Sequence, residues 1–155
     1  MTQRTHDAIN AICKKYNIAL CYLFGSQAGT GKALLAGESR NPTDPEADID
    51  FAVLFKTRPE DALTAHARIS LDLQSLVMPF RADLLFLHEV DHLIQLEAIR
   101  GICIYALDET FREEYEERVM MFSADEIEIF RRNEQDLFEA IDHGYFEFEY
   151  KADRG

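Results

Sequence analysis

Residues 23–33, Leu23-Phe24-Gly25-Ser26-Gln27-Ala28-Gly29-Thr30-Gly31-Lys32-Ala33, follow an apolar run and read LFGSQAGTGKA. A phosphate-binding loop is the first thought. A Walker A loop, GxxxxGK followed by Ser or Thr, cradles phosphates with backbone amides and binds magnesium through the hydroxyl. Here five residues separate Gly25 from Gly31-Lys32, and Ala33 stands where the hydroxyl is needed. That rules the Walker reading out. What remains is Gly25-Ser26 at the end of the apolar run. A glycine lets backbone approach a phosphate closely, and neighbouring amides with the Ser26 hydroxyl can donate to its oxygens. Alone, the dipeptide is ordinary turn chemistry.

The odds change with Asp48-Ile49-Asp50. IALCYLF (residues 18–24) and DIDFAVLF (48–55) both read as strands. Side chains two apart on a strand share a face, so Asp48 and Asp50 project together while Ile49, Phe51 and Val53 face a core. Aspartate is depleted in strands, and like charges side by side repel unless a cation lies between them. RADLLFL (81–87) reads as a third strand, with Asp83 as a lone acid near its start. Three carboxylates from adjacent strands would make a magnesium site of hard oxygen ligands. Two ions there could serve the attacking and leaving oxygens of an in-line displacement.

Working outward, Ile9, Ile12, Cys13 and Tyr16 have helical spacing over residues 5–16, and Asn17 ends that helix. Residues 29–47 read as a long loop with one helical turn at Ala33–Ala36. Pro59 suits the first turn of the next helix, with Leu63, Ala67, Leu71 and Val77 as its inner face and Pro79 as its stop. A helix over DHLIQLEAIRG ends at Gly101, and ICIYAL (102–107) reads as an edge strand. Beyond Asp108 the pattern turns acidic and helical. Ser123 with Glu126 predicts a capping box that opens a new helix, with Ile127, Phe130, Leu137 and Ile141 inward and Gly144 at its end. The fold expected is α/β: a mixed central sheet flanked by helices over residues 1–107, then a helical extension over 108–155 that packs on the core or on a partner.

Length and composition narrow the function. The chain has 155 residues, 47% hydrophobic, with a formal net charge of −13. That size fits one compact domain. The charge opposes nonspecific binding to nucleic acid or to an anionic membrane, and it favours metal cations and a basic protein partner. No apolar run reaches membrane-spanning length, and the N-terminus lacks the apolar core of a secretory signal. Cys13, Cys21 and Cys103 are odd in number, form no CxxC pair and lie in apolar stretches. Reduced, buried thiols in a cytoplasmic protein are expected.

LFGS (23–26), DIDFAVLF (48–55) and ADLLFL (82–87) together resemble the nucleotidyltransferase superfamily that contains DNA polymerase beta and kanamycin nucleotidyltransferase. The likeness is greatest to its minimal members, the MNT proteins paired with HEPN-domain toxins, and it extends through LEAIRGICIYALDE (96–109). The resemblance implies that Gly25 and Ser26 hold the triphosphate of ATP and that Asp48, Asp50 and Asp83 bind Mg2+. It implies that Asp83 also helps deprotonate the acceptor hydroxyl. It further implies transfer of AMP, with release of pyrophosphate, to a tyrosine of a HEPN toxin that the chain silences as an antitoxin, in a hetero-oligomer with it. Twenty-one residues lie between Ser26 and Asp48, more than the family commonly has, and Ala47 stands where Ser is frequent. The arginine often found between the residues matching Ala28 and Gly29 is missing. Lys32 or Arg40 is expected to replace it. The alternative function is a noncatalytic antitoxin-type module that neutralises its partner by contact alone. Drug modification is a weaker option in so short a chain.

Two other signals compete. His88-Glu89-Val90-Asp91-His92 matches HExxH, but that zinc chemistry needs both histidines on one helix face. His88 follows a strand directly, so a chance match is expected. GYFEFEYK (144–151) alternates aromatic and acid. It reads equally as rings packed on the core or as an acidic arm for a basic partner.

Overall fold

A computed structural model describes residues 3–40 and 47–142. Helix α1 (Gln3–Lys15) leads into β1 (Ile18–Phe24), α2 (Ala28–Leu35) and β2 (Asp48–Phe55). Then follow α3 (Ala62–Val77), β3 (Arg81–Phe86), a 3-10 turn (Leu87–Glu89), α4 (His92–Ile99), β4 (Ile102–Ala106) and α5 (Glu109–Asp142). The sheet order is β3-β2-β1-β4. β1 runs antiparallel to both β2 and β4, whereas β2 and β3 are parallel, so the sheet is mixed. A parallel pair needs a crossover, and α3 provides it.

Strand alternation divides the core in two. Cys21, Leu23, Ile49, Phe51 and Val53 point to one face, where Ile9 and Cys13 of α1, Leu35 of α2, and Ile69, Leu73 and Val77 of α3 cover them. Leu20, Tyr22 and Ala52 point to the other, under Ala98 of α4 and Tyr115 and Val119 of α5. Polar tips buried on this second face are satisfied. Tyr22 Oη donates to Glu116 Oε1 at 2.9 Å, and Tyr115 Oη donates to Gln95 Oε1 at 2.8 Å. Asn17 takes a left-handed turn, φ 56°, between α1 and β1. Asparagine tolerates that conformation better than most residues.

Several elements differ from the expectation. The loop expected after residue 29 begins instead as α2, because Gly31 seats that helix directly on the sheet. A Cβ at Gly31 would stand 2.8 Å from Ile49 Cγ2. α3 starts at Ala62 rather than at Pro59, with Asp61 as N-cap accepting from the Thr64 amide at 3.1 Å. Its inner row is Ala62, Ala65, Ile69, Leu73 and Val77; Leu63 and Leu71 are 82% and 72% exposed, and Ala67 is exposed too. Both rows have helical spacing, and only the sheet's position chooses between them.

The capping box is also corrected. α5 runs unbroken through Ser123, whose buried Oγ donates to the His92 carbonyl at 2.9 Å. Glu126 Oε1 pairs with His92 Nδ1 at 2.5 Å. A tertiary partner satisfies both side chains, so neither is needed to start a helix. The side chains of Phe130, Leu137 and Ile141, the stop at Gly144 and the aromatic–acidic arm lie outside the described residues. Among the described residues no helix is long and apolar enough to cross a membrane. Cys13 and Cys21 are buried, Cys103 is half-buried, and all three thiols are free.

Candidate active site

β1 ends at Phe24, and the chain turns at Gly25 with φ +76°, a left-handed conformation that favours glycine. Ser26 is exposed, and Gln27 precedes α2 without capping it through its side chain. The Ala28 amide donates back to the Gly25 carbonyl at 3.3 Å, and the next first-turn amides of α2, those of Gly29 and Thr30, follow Gly25-Ser26 at the helix N-terminus.

The acids are placed by register. In the antiparallel pair Phe24 lies opposite Asp50, and in the parallel pair Asp50 lies opposite Asp83. Asp48, Asp50 and Asp83 share the sheet face that carries α4 and α5, at the end of the sheet where β1 gives way to Gly25-Ser26. A Cβ on Gly25 would strike Oδ2 of Asp50. This glycine therefore also makes room for a carboxylate.

The electrostatics are strained at Asp50. Its carboxyl is pushed up to about 6, first by partial burial, then by the negative charges of Asp83 and Asp48 and by a hydrogen bond with Asp83. Asp48 is held differently: Arg81, its register partner on β3, donates through Nε to Asp48 Oδ1 at 3.1 Å. As the side chains stand, no group of three or more His, Cys, Asp and Glu converges to hold a metal among the described residues. Asp50 and Asp83 are nonetheless paired with excess negative charge, and Asp48 is adjacent. This all-oxygen donor set would suit a hard divalent cation if Asp48 were turned from Arg81 toward the other two.

Lys32 and Arg40 are separated by the structure. Lys32 is exposed in the last turn of α2. Arg40 stands five residues past Leu35, the last residue of that helix, and pairs with Glu38 at 3.6 Å. The cation that the fold brings to the acids is Arg81, which the sequence reading missed. The signal was available, because Arg81 stands two residues before Asp83 on a strand and so shares its face.

The HExxH segment forms no zinc helix. His88 lies in the 3-10 turn, Val90 is extended, Asp91 caps α4 and His92 opens it. His88 stacks on Phe86, while His92 stacks on Phe122.

A four-stranded mixed sheet with a Gly-Ser turn after one strand, paired aspartates on the next and a third on the strand beyond defines a nucleotidyltransferase-type core. The pattern of the family described as "Polymerase beta, Nucleotidyltransferase" matches residues 7–110, and the chain belongs to that family. Solved structures agree in fold. One is the Shewanella oneidensis complex of a tri-AMPylated HEPN toxin with an MNT antitoxin. It is 16% identical, with a TM-score of 0.57, over 91% of this chain and 98% of that one. A toxin–antitoxin structure with AMP-PNP is 16% identical with a TM-score of 0.55, over 88% of this chain and 97% of that one. The MntA–HepT toxin–antitoxin structure is 15% identical with a TM-score of 0.54, over 90% and 98%. No curated protein matches the chain.

Proposed function

We propose that this chain is a Mg2+-dependent nucleotidyltransferase that moves AMP from ATP to a tyrosine hydroxyl of a partner HEPN toxin, acting in the cytoplasm as its antitoxin. The observation that carries the reading is the placement of Asp48, Asp50 and Asp83 on one face of neighbouring strands beside Gly25-Ser26. Membership of the nucleotidyltransferase family supports the reaction class. The partner and acceptor are proposed by analogy with the MNT antitoxin seen with an AMPylated HEPN toxin. A net charge of −13 fits a basic partner.

In this reading the Ser26 hydroxyl and the first-turn amides of α2 bind the triphosphate, with Lys32 the nearer of the two loop cations. Asp48, Asp50 and Asp83 would hold Mg2+, in one or two ions, and the metal would supply charge neutralisation at the phosphates. Asp83, on edge strand β3, accepts the proton of the tyrosine hydroxyl. The phenolic oxygen bonds to the α-phosphorus, the bond from that phosphorus to the bridging oxygen breaks, and pyrophosphate leaves with the electron pair.

A second reading, neutralisation by contact alone, is favoured by one observation: Asp48 is engaged by Arg81 rather than by a shared site. Thermal unfolding separates the two. For the native chain, Mg2+ with ATP at a hundredfold over the dissociation constant should add roughly 2.7 kcal/mol. That ligand-induced gain should vanish in Asp48→Asn/Asp50→Asn. A native chain that gains nothing would leave the contact-only module as the better account.

A further inference from the structure

We propose that Arg81 is a positioning residue that holds Asp48 while no cation is bound and, once Asp48 is released, pairs with a phosphate of the nucleotide. The inference rests on the reading of Asp48, Asp50 and Asp83 as the cation's ligands. The parallel β2–β3 register sets Asp48 beside Arg81 as it sets Asp50 beside Asp83, so the four charged groups form two adjacent rungs. On one rung two carboxylates crowd each other; on the other a guanidinium cancels one charge. Without Arg81 a third carboxylate would stand uncompensated next to the first two.

The pair is built to open. The Arg81 side chain is 72% exposed and that of Asp48 only 29%, so Arg81 leaves with little loss of packing. Exposed ion pairs contribute little, far less than a doubly charged ion offers a carboxylate. A freed guanidinium is also suited to the next partner, because its fork of donors matches phosphate oxygens. The missing arginine of the Gly-Ser loop makes that role available. Arg40 is tied to Glu38 at the far end of α2, whereas Arg81 already stands among the acids.

Calorimetric titration of the full chain tests this in two parts, with Arg81→Gln and Arg81→Lys compared with native protein. Mn2+ is titrated alone, and then AMP-PNP is titrated at saturating Mn2+. Arg81→Gln should bind Mn2+ about threefold to fivefold more tightly, since Asp48 is no longer occupied. It should bind AMP-PNP about tenfold more weakly, since a charge-assisted contact is lost. Arg81→Lys should fall between on both. An exposed strand residue leaves folding intact, which a thermal melt of each variant verifies. Unchanged Mn2+ and AMP-PNP affinities in Arg81→Gln would overturn the proposal while leaving the nucleotide site standing. Weakened AMP-PNP binding with unchanged Mn2+ affinity would overturn the exchange at Asp48. A native chain that binds neither Mn2+ nor AMP-PNP would overturn the nucleotidyltransferase reading, and this one with it.

Discussion

Gly25 and Asp50 leave no room between them for a methyl group: a Cβ on Gly25 would collide with Oδ2 of Asp50. The turn after β1 and the acid on β2 are therefore one feature, joined by the antiparallel pairing of Phe24 with Asp50. Gly25→Ala should suffer twice. The left-handed φ costs an alanine roughly 1–2 kcal/mol, and the new methyl displaces the Asp50 carboxylate. A loss of about 3–6 °C in Tm is expected, together with loss of any Mg2+-induced stabilisation. An alanine variant that keeps the native Tm and the native Mg2+ response would contradict this geometry.

Asp50 makes metal-free stability depend on pH. Its folded pKa, about 6, lies above the ordinary 3.8, so between these values the native state holds a proton that the unfolded state has released. Stability therefore falls as pH rises from near 4 through 6. Because the group is partly solvated, the contribution is discounted to roughly 1 kcal/mol. In EDTA, Asp50→Asn should melt about 3 °C above the native chain at pH 7.5. It should show no advantage at pH 4. An equal gain at both pH values would mean that charge is not the cause.

Gly101 is a second close approach, at the start of β4. A Cβ there would collide with the carbonyl oxygen of Leu23 and the α-carbon of Phe24. Both are backbone atoms of a central strand and cannot rotate aside. Gly101→Ala is expected to cost about 2–3 kcal/mol, at the upper end for overpacking, and denaturant unfolding would read it as a lowered midpoint at unchanged slope. A midpoint within error of native would show that β4 shifts freely.

Ser123→Ala probes the long helix. Ser123 is 1% exposed, and its hydroxyl donates to the His92 carbonyl. Its removal leaves that acceptor short of a donor, costing about 1–2 kcal/mol, while circular dichroism should keep its full helical signal. Loss of helix content as well would restore Ser123 to the role of a cap.

Asp61→Ala should cost about 1 kcal/mol through the lost cap on α3, where the carboxylate accepts from the Thr64 amide. Asp61→Asn or Asp61→Ser should recover most of that in thermal melts. If neither does, the cap is not what Asp61 contributes.

Much of this molecule was legible in one dimension. β1 and β2 were readable to the residue, since apolar runs bounded by Asn17, Gly25, Asp48 and Lys56 leave little freedom in where a strand begins and ends. Strand alternation put Asp48 and Asp50 on one side and Ile49, Phe51 and Val53 on the other, and the buried core follows that division. Edge strand β4 and the end of α4 at Gly101 were equally plain. These features depend on local backbone chemistry and on a period of two, which a sequence carries explicitly.

Tertiary structure decided what local periodicity leaves degenerate. On α3 the rows Leu63–Ala67–Leu71 and Ala65–Ile69–Leu73 are both helical, and only contact with the sheet selects the second. Ser123 and Glu126 have capping chemistry, but His92, thirty-one residues before Ser123 in the chain, claims the serine and also pairs with Glu126. Arg81 was an ordinary surface cation until the parallel register of β2 and β3 laid it beside Asp48. A side chain's chemistry is written in the sequence, but its partner is chosen by distance, and distance between remote residues exists only once the chain has folded.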